Sequence, residues 1–197
     1  TATDEIGWTN FGAPNPWQKI IPPMDSPRQF CNGVIMADGR LLVLGGDRPT
    51  GNADPLRNTD SEIIDLDNPA ARWRTPPMEP RGYHSTAVLL PDGRVLYGGG
   101  NSEGSTLRTF DYQIYRPTYC DQLRPIITGN LPSSVSWGQT FSVQHEYKNE
   151  FGVDDNVVLI RPGSTTHHFD TEQRYIVLET HSSSSNSMTV FAPPNRN

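Results

Sequence analysis

The sequence has few cysteines, no long apolar stretch and no run of basic residues. Its 197 residues include two cysteines and carry a formal net charge of −6 at pH 7. Negative charge disfavours binding to nucleic acid or an anionic membrane surface, and no apolar stretch approaches the roughly 20 residues that span a bilayer. The N-terminal residues 1–5 lack the basic and apolar regions of a signal peptide. We therefore expect no nucleic-acid or membrane partner, and a trimmed or internal piece of a longer chain.

The cysteines do not identify a compartment. Cys31 and Cys120 could form a disulfide or remain two free thiols, because sequence does not fix their separation. The sequence contains no Asn-x-Ser/Thr site for a glycan that would indicate secretion.

Glycine, proline and an internal repeat are abundant instead. The 17 Gly and 18 Pro residues favour a β protein with many turns over long helices. Residues 17–46 resemble residues 73–100: each copy has a Trp, a Pro-Pro-Met, a Pro-Arg and an Asp-Gly-Arg, and ends in paired glycines. The period of about 50 residues is that of kelch repeats.

Each copy also predicts a β-hairpin. An apolar strand meets an Asp-Gly turn and a second apolar strand, at residues 34–36 and 41–44 in the first copy and at 87–90 and 95–97 in the second. With outer strands at 62–65 and 113–115, residues 1–122 are predicted to form about two blades of a kelch-like β-propeller. Propellers close with about four to eight blades, so we expect the remaining blades on another chain or a missing segment.

The pattern changes after Cys120. Short apolar strands, separated by Gly, Pro, Ser and Asn, favour a β-sandwich over residues 123–197; they are expected at 124–128, 140–143, 156–160, 175–178 and 187–191. The predicted fold class is therefore all-β, with partial propeller blades followed by an immunoglobulin-like sandwich.

Tyr83, His84 and His167 form a candidate metal-ligand set. Two imidazoles and a phenolate suit copper(II), because nitrogen donors bind copper well and a bound metal lowers the pKa of a tyrosine. The same residues also fit a purely structural role, because Tyr and His after a Pro-Arg pair are common in kelch repeats. His167 and His168 could equally be exposed or capping imidazoles in a turn.

Several segments resemble the galactose oxidase and glyoxal oxidase family of radical copper oxidases. They include Tyr83-His84 before Leu-Pro-Asp-Gly-Arg-Val, the Thr166-His167 pair, and the runs at 110–119, 124–127 and 170–174. The resemblance implies that His84 and His167 are equatorial copper ligands and that Tyr83 is the axial ligand and general base. It also implies a secreted protein, and a C-terminal domain that stops here before the family's final strands, so the chain is expected to be truncated at both ends.

The resemblance gives no ligand role to His168, where the family is variable, and His145 and His181 are expected to be surface residues. The family's redox cofactor joins a Cys to a Tyr by a thioether. The preferred alignment places that radical pair mainly outside this chain, and a Cys31–Tyr83 pair is the alternative.

The implied reaction oxidises a primary alcohol or aldehyde to the aldehyde or acid while O2 is reduced to H2O2. The substrate could be a small alcohol, an aldehyde or a carbohydrate. Without the radical pair, we expect the isolated chain to be inactive. The alternatives are a non-catalytic kelch and sandwich module that binds carbohydrate or protein, and a structural protein that binds no metal.

Overall fold

A computed structural model describes residues 2–9, 14, 16–48, 58–100, 110–146 and 156–195. Regular structure in these residues is β, apart from one 3-10 turn at Thr118–Asp121. The strands are β1 (Ile6–Thr9), β2 (Trp17–Ile20), β3 (Asn32–Ile35), β4 (Leu41–Leu44), β5 (Glu62–Ile64), β6 (Arg72–Arg74), β7 (Ser85–Leu89), β8 (Val95–Gly99), β9 (Tyr112–Tyr115), β10 (Ile126–Ile127), β11 (Thr140–Glu146), β12 (Val158–Arg161), β13 (Thr165–Thr166), β14 (Phe169–Asp170), β15 (Arg174–Val177), β16 (Thr180–Ser184) and β17 (Ser187–Phe191). The predicted all-β class is confirmed. Among the described residues, no helix is long and apolar enough to cross a membrane.

The chain divides into two compact units. The first comprises Thr1–Pro117 with Pro162–Gln173, and the second comprises Thr118–Arg161 with Arg174–Asn197. The segment that carries His167 therefore groups with the N-terminal residues, although its flanking strands β12 and β15 belong to the second unit. The predicted domains, 1–122 and 123–197, stay a prediction, and the grouping of residues 162–173 differs from them.

Two antiparallel sheets dominate the first unit. Their strand orders are β3-β4-β5-β6 and β7-β8-β9, so consecutive strands are neighbours in each. This is the connectivity expected of propeller blades, and the kelch assignment stays an interpretation of it. β4 has the sequence Leu-Leu-Val-Leu and is buried from Leu42 to Leu44, which places it in the interior of its sheet.

The Asp-Gly hairpins have the same geometry in both sheets. The Met36 N–H donates to the Arg40 carbonyl at 2.8 Å, and the equivalent bond in the second sheet is 2.7 Å. Gly39 and Gly93 follow the aspartates with φ values of 83° and 87°. A residue with a Cβ rarely adopts this conformation, which explains the glycine in both copies.

Each repeat contains an equivalent ion pair. Arg28 Nη2 donates to Glu62 Oε1 at 2.9 Å, and Arg81 Nη2 donates to Asp111 Oδ1 at 2.8 Å. Another nitrogen of each guanidinium donates to a glycine carbonyl at the end of the second strand, at 2.9 and 2.8 Å. Both arginine side chains are fully buried, but Glu62 is buried as well whereas the Asp111 side chain is 64% exposed. The Pro-Arg of each repeat therefore ties its first strand to its second and third.

The first strands of the two sheets are neighbours. Asn32 Nδ2, on β3, donates to Ser85 Oγ, on β7, at 2.8 Å, and both side chains are buried. The antiparallel β1-β2 pair packs on the first sheet, where Ile20, Met24, Val43 and Ile64 form a buried cluster. The residues that precede β3 and β7 are consequently brought to the same region of the unit.

The second unit contains a four-stranded sheet, β10-β11-β17-β16, and the pair β12-β15. Leu178, Met188 and Val190 form its buried cluster. Side chains alternate along β11, so His145 lies on the same face as Val143 and is only 8% exposed. The expectation that His145 is a surface residue is therefore wrong, whereas His181 on β16 is exposed as expected.

Candidate metal centre

Tyr83 and His84 lie in a tight turn immediately before β7. The Ser85 N–H donates to the Gly82 carbonyl at 3.1 Å, and His84 has a φ of 62°. Ser85 then starts the pairing with β8, opposite Gly99. The turn thus fixes two candidate ligands directly at the edge of a buried strand. Tyr83 is half-buried and His84 is exposed.

His167 and His168 form the turn of a two-residue hairpin. Thr165 pairs with Asp170 and Thr166 with Phe169, so the two histidines are the only residues that join β13 to β14. Their φ values are 51° and 66°. Two positive φ values define the type I′ geometry, which favours Asn-Gly. The two histidines therefore adopt a backbone conformation that their residue type disfavours.

Three sets of hydrogen bonds hold this hairpin in the first unit. Thr165 Oγ1 donates to the Ala87 carbonyl of β7 at 3.0 Å. The Gln173 amide both donates to the Ile35 carbonyl and accepts from its N–H, each at 2.9 Å, so it pairs with β3 as a strand would. Asp170 Oδ1 accepts backbone N–H groups of the same segment at 3.0–3.2 Å. The hairpin is thereby attached to both first strands.

These attachments bring four rings together around Tyr83. Its ring centroid lies 3.8 Å from His84, 4.8 Å from Phe30 and 5.5 Å from His168. The His84 and His167 centroids are 5.3 Å apart with their planes at 74°, and His167 lies 6.4 Å from Tyr83. The predicted set of Tyr83, His84 and His167 is thus found in one cluster.

Backbone strain concentrates in the same cluster. Among the described residues, four residues other than glycine have a positive φ, and all four belong to it: Phe30 at 61°, His84 at 62°, His167 at 51° and His168 at 66°. Such conformations cost of order 1–3 kcal/mol each and persist only where the surrounding structure enforces them. Their concentration in one place is typical of a functional site.

The orientation of His167 suits a ligand role. Its Nδ1 lies 2.9 Å from Thr166 Oγ1, and a hydrogen bond at one ring nitrogen leaves the other, Nε2, for a metal. His167 and His84 are both exposed, so both rings are accessible from solvent. Within the described residues no group of three or more His, Cys, Asp or Glu side chains is arranged to hold a metal ion. A centre here would need the Tyr83 oxygen beside the two imidazoles.

His168 lies deeper than its neighbour. Its Nε2 accepts the backbone N–H of His84 at 3.3 Å. Burial lowers the pKa of His168 below its ordinary value, and the nearby imidazoles of His84 and His167 lower it further. His168 is therefore neutral at pH 7, and a neutral imidazole can serve as the acceptor.

Cys31 has different surroundings from Tyr83. It packs against the cluster formed by Ile20, Met24, Val43 and Ile64, and burial raises the pKa of its thiol. The structure shows no disulfide between Cys31 and Cys120. The thioether alternative for Cys31 and Tyr83 stays a prediction for chemical analysis.

Sequence reasoning did not single out Phe30, Gln173 or Thr165, and it set His168 aside. Phe30 occupies in the first repeat the position that Tyr83 has in the second. This correspondence could have identified Phe30 from the sequence. The other three residues carry no signal in a single sequence, because their roles depend on contacts with strands far away in the chain.

The chain is similar in sequence to known galactose and aldehyde oxidases. Residues 124–197 match the family described as the galactose oxidase-like, early set domain. The chain is 31% identical over 179 residues to a galactose oxidase of Gibberella zeae, covering 84% of this chain and 25% of that protein. It is 28% identical over 174 residues to aldehyde oxidase GLOX1 of Arabidopsis thaliana, covering 79% and 28%.

A solved structure is also similar. A fungal alcohol oxidase of the AA5 family, in complex with copper, has a TM-score of 0.82 and 27% sequence identity, over 98% of this chain and 42% of that one. The chain spans about a quarter of the length of the galactose oxidase it matches.

Proposed function

We propose that this chain, a homologue of the galactose and glyoxal oxidases with an early set domain at its C-terminal end, supplies the copper ligands of an alcohol or aldehyde oxidase. The sequence-based resemblance to this family is confirmed by the domain match and by the galactose and aldehyde oxidase relatives. Copper is named for the structural relative, and its presence in this protein is part of the proposal.

One observation carries the proposal. The imidazoles of His84 and His167 come from distant parts of the chain and lie 5.3 Å apart, centroid to centroid, beside the ring of Tyr83. A nitrogen ligand lies about 2 Å from a bound transition metal, so one ion between the two rings is sterically reasonable. Strained backbone at both histidines supports a role beyond packing.

The donor set favours copper over other divalent metals. Two imidazoles and a phenolate match the nitrogen and oxygen ligands of copper(II), and divalent affinity at such sites peaks at copper. The Thr166 hydroxyl beside His167 Nδ1 would hold that ring in one tautomer, as partners of metal-bound histidines commonly do. His84, His167 and Tyr83 are the residues that would hold the copper.

Copper together with a thioether-modified tyrosyl radical would supply the two one-electron changes that a two-electron oxidation requires. Tyr83 would take the hydroxyl proton of a primary alcohol or aldehyde hydrate as general base. Its ring is held by Phe30 at 4.8 Å and by His84 at 3.8 Å, which limits the positions open to the phenol oxygen. O2 would take up the two electrons and the two protons that the substrate loses, giving H2O2.

The activity belongs, in this proposal, to a larger assembly. This chain spans about a quarter of its galactose oxidase relative, and the remaining blades, on another chain or segment, would carry the Cys-Tyr radical pair. We propose small alcohols, aldehydes or carbohydrates as substrates, and secretion by analogy with the family. The isolated chain is then expected to bind copper without turnover.

The test is copper(II) binding to the metal-free chain, followed by electron paramagnetic resonance. We expect one tight site with hyperfine coupling to two nitrogens. His84→Ala and His167→Ala should each remove one nitrogen and weaken binding. Tyr83→Phe should keep the ring packing while abolishing the visible absorption of a phenolate bound to copper.

His181→Ala is the matched control, because His181 is an exposed histidine on β16 in the other unit. It should leave the affinity and the spectrum unchanged. If His84→Ala and His167→Ala keep the wild-type spectrum, the copper is bound elsewhere and the proposed site is wrong.

A further inference from the structure

Resting on the metal site proposed above, we propose that His168 is a positioning residue that joins the hairpin turn to the Tyr83-His84 turn and so sets the separation of the two ligand imidazoles. It does so without binding the metal itself. The residue acts through one hydrogen bond to the backbone of His84 and through ring packing on Tyr83 and Phe30.

The hydrogen bond specifies the tautomer of His168. The His84 N–H donates to Nε2 at 3.3 Å, so in the neutral ring the proton resides on Nδ1. Nδ1 is buried and has no hydrogen-bond partner among the described residues. The observed orientation satisfies the His84 amide.

The His84 amide needs this support. His84 has a φ of 62°, a conformation that side chains other than glycine adopt only when neighbours enforce it. Relaxation to negative φ would turn the Tyr83–His84 peptide, and with it the His84 N–H, relative to the His84 side chain. The acceptor on His168 stabilises the conformation in which the two imidazoles are 5.3 Å apart.

Packing supplies the second constraint. The His168 centroid lies 5.2 Å from Phe30 and 5.5 Å from Tyr83, while Phe30 and Tyr83 are 4.8 Å from each other. The three rings form a closed set, and His168 is its only member on the hairpin. Because His167 is the adjacent residue, fixing His168 also fixes the start of the His167 side chain.

The position of His168 in its turn allows a decisive separation of roles. It is the second central residue of a type I′ turn, with a φ of 66°, and glycine is favoured there. His168→Gly therefore relieves the turn while it removes the acceptor and the ring. If His168 had only a local role in the turn, this change would raise stability and leave the metal site intact. If His168 is a positioning residue, the change would disturb the placement of His84 and His167.

The experiment compares wild type, His168→Gly, His168→Leu and His168→Gln in the complete 197-residue chain. Leu keeps apolar bulk without an acceptor, and the Gln carbonyl reaches about as far as Nε2. The first measurements are made by NMR on metal-free protein. One is the hydrogen-exchange rate of the His84 amide, and the other is the ring tautomer of His168. We expect the Nδ1-H tautomer, and protection at least about 10-fold greater in wild type and Gln than in Leu and Gly.

The second measurement is copper(II) affinity with the paramagnetic resonance spectrum. Loss of a residue that orients a metal ligand typically lowers affinity by about 10–100-fold. We expect that loss and an altered nitrogen coupling in His168→Leu and His168→Gly, with most of the affinity restored in His168→Gln. Thermal stability of His168→Gly should not fall in parallel, because its turn is relieved.

The outcomes separate this proposal from the proposed function. If wild type binds copper through two histidines and the Leu and Gly variants bind it equally, only the positioning role is wrong. If the His84 amide exchanges equally in all four proteins, the hydrogen bond is wrong regardless of copper. If wild type binds no copper, the metal site fails and the positioning role fails with it.

Discussion

Glu62 offers a sharp test of how the two repeats are stabilised. Its carboxylate is 2% exposed and accepts from Arg28 Nη2 at 2.9 Å, from Arg72 Nη1 at 3.4 Å and from the Asp25 N–H at 3.0 Å. Glu62→Gln keeps the shape and removes the charge, which leaves the Arg28 guanidinium buried without its counter-ion. The NH2 group of the new glutamine would also face at least one of these donors, and two donors cannot form a hydrogen bond with each other.

The expected loss is large because burial prevents water from replacing the carboxylate. Breaking a buried ion pair by removing one partner costs roughly 3–5 kcal/mol. For a chain of this size that corresponds to a fall of roughly 6–20 °C in the unfolding midpoint. The measurement is urea and thermal unfolding followed by far-ultraviolet circular dichroism.

The second repeat provides the matched control. Asp111→Asn removes the charge of the equivalent partner of Arg81, but the Asp111 side chain is 64% exposed, so water already screens this ion pair. We expect a much smaller loss than in Glu62→Gln. Replacing Arg28 and Glu62 together by Met and Leu should recover part of the loss, because no isolated charge then remains buried. Equal losses in Glu62→Gln and Asp111→Asn would refute the argument from burial.

Three further predictions use the same chain. Gly45→Ala should lower the free energy of unfolding by more than about 3 kcal/mol, because a Cβ at its φ of 67° would lie 2.0 Å from the Tyr97 hydroxyl oxygen and 2.6 Å from a backbone carbonyl oxygen. Gly138 is the control, because it has a φ of 68° with open space around it. Gly138→Ala should cost only about 1–2 kcal/mol in the same unfolding assay. Intact mass of the reduced chain should equal the sequence mass, and a deficit of two hydrogens located at Cys31 and Tyr83 would make Tyr83 the radical site. A coupled peroxidase assay should detect no alcohol-dependent H2O2 from the copper-loaded isolated chain, and turnover there would contradict a radical pair outside it.

Strand prediction worked where apolar residues lie between turn signals. The bounds of β4 and β17 match the prediction, because β4 is a short apolar run that paired glycines follow, and β17 alternates buried and half-buried side chains until the prolines at 193 and 194. It did not find β16, whose Thr-His-Ser-Ser-Ser sequence is exposed throughout and carries no apolar period. β16 forms because β17 offers it a pairing partner, and a partner elsewhere in the chain is not visible in local sequence.

The site divides in the same way. Residue chemistry and the repeat identified Tyr83, His84 and His167 as candidates, because imidazole and phenol donors are recognisable by type. The role of His168 could not be predicted, because it depends on a hydrogen bond from the backbone N–H of His84, a residue 84 positions earlier. The expectation for His145 failed for a related reason: a histidine on an alternating strand faces either water or the core, and only the sheet partners decide which.

The sequence by itself determined the all-β class, the repeat, the hairpin turns and the resemblance to galactose and glyoxal oxidases, because these depend on local backbone preference and on residue types in a fixed order. The tertiary structure alone decided that the hairpin at 165–170 lies against β7 and β3, through Thr165 and the amide of Gln173. It also decided that two histidine turns are held at positive φ. Those features are contacts between distant segments, and their energy exists only after the strands are assembled.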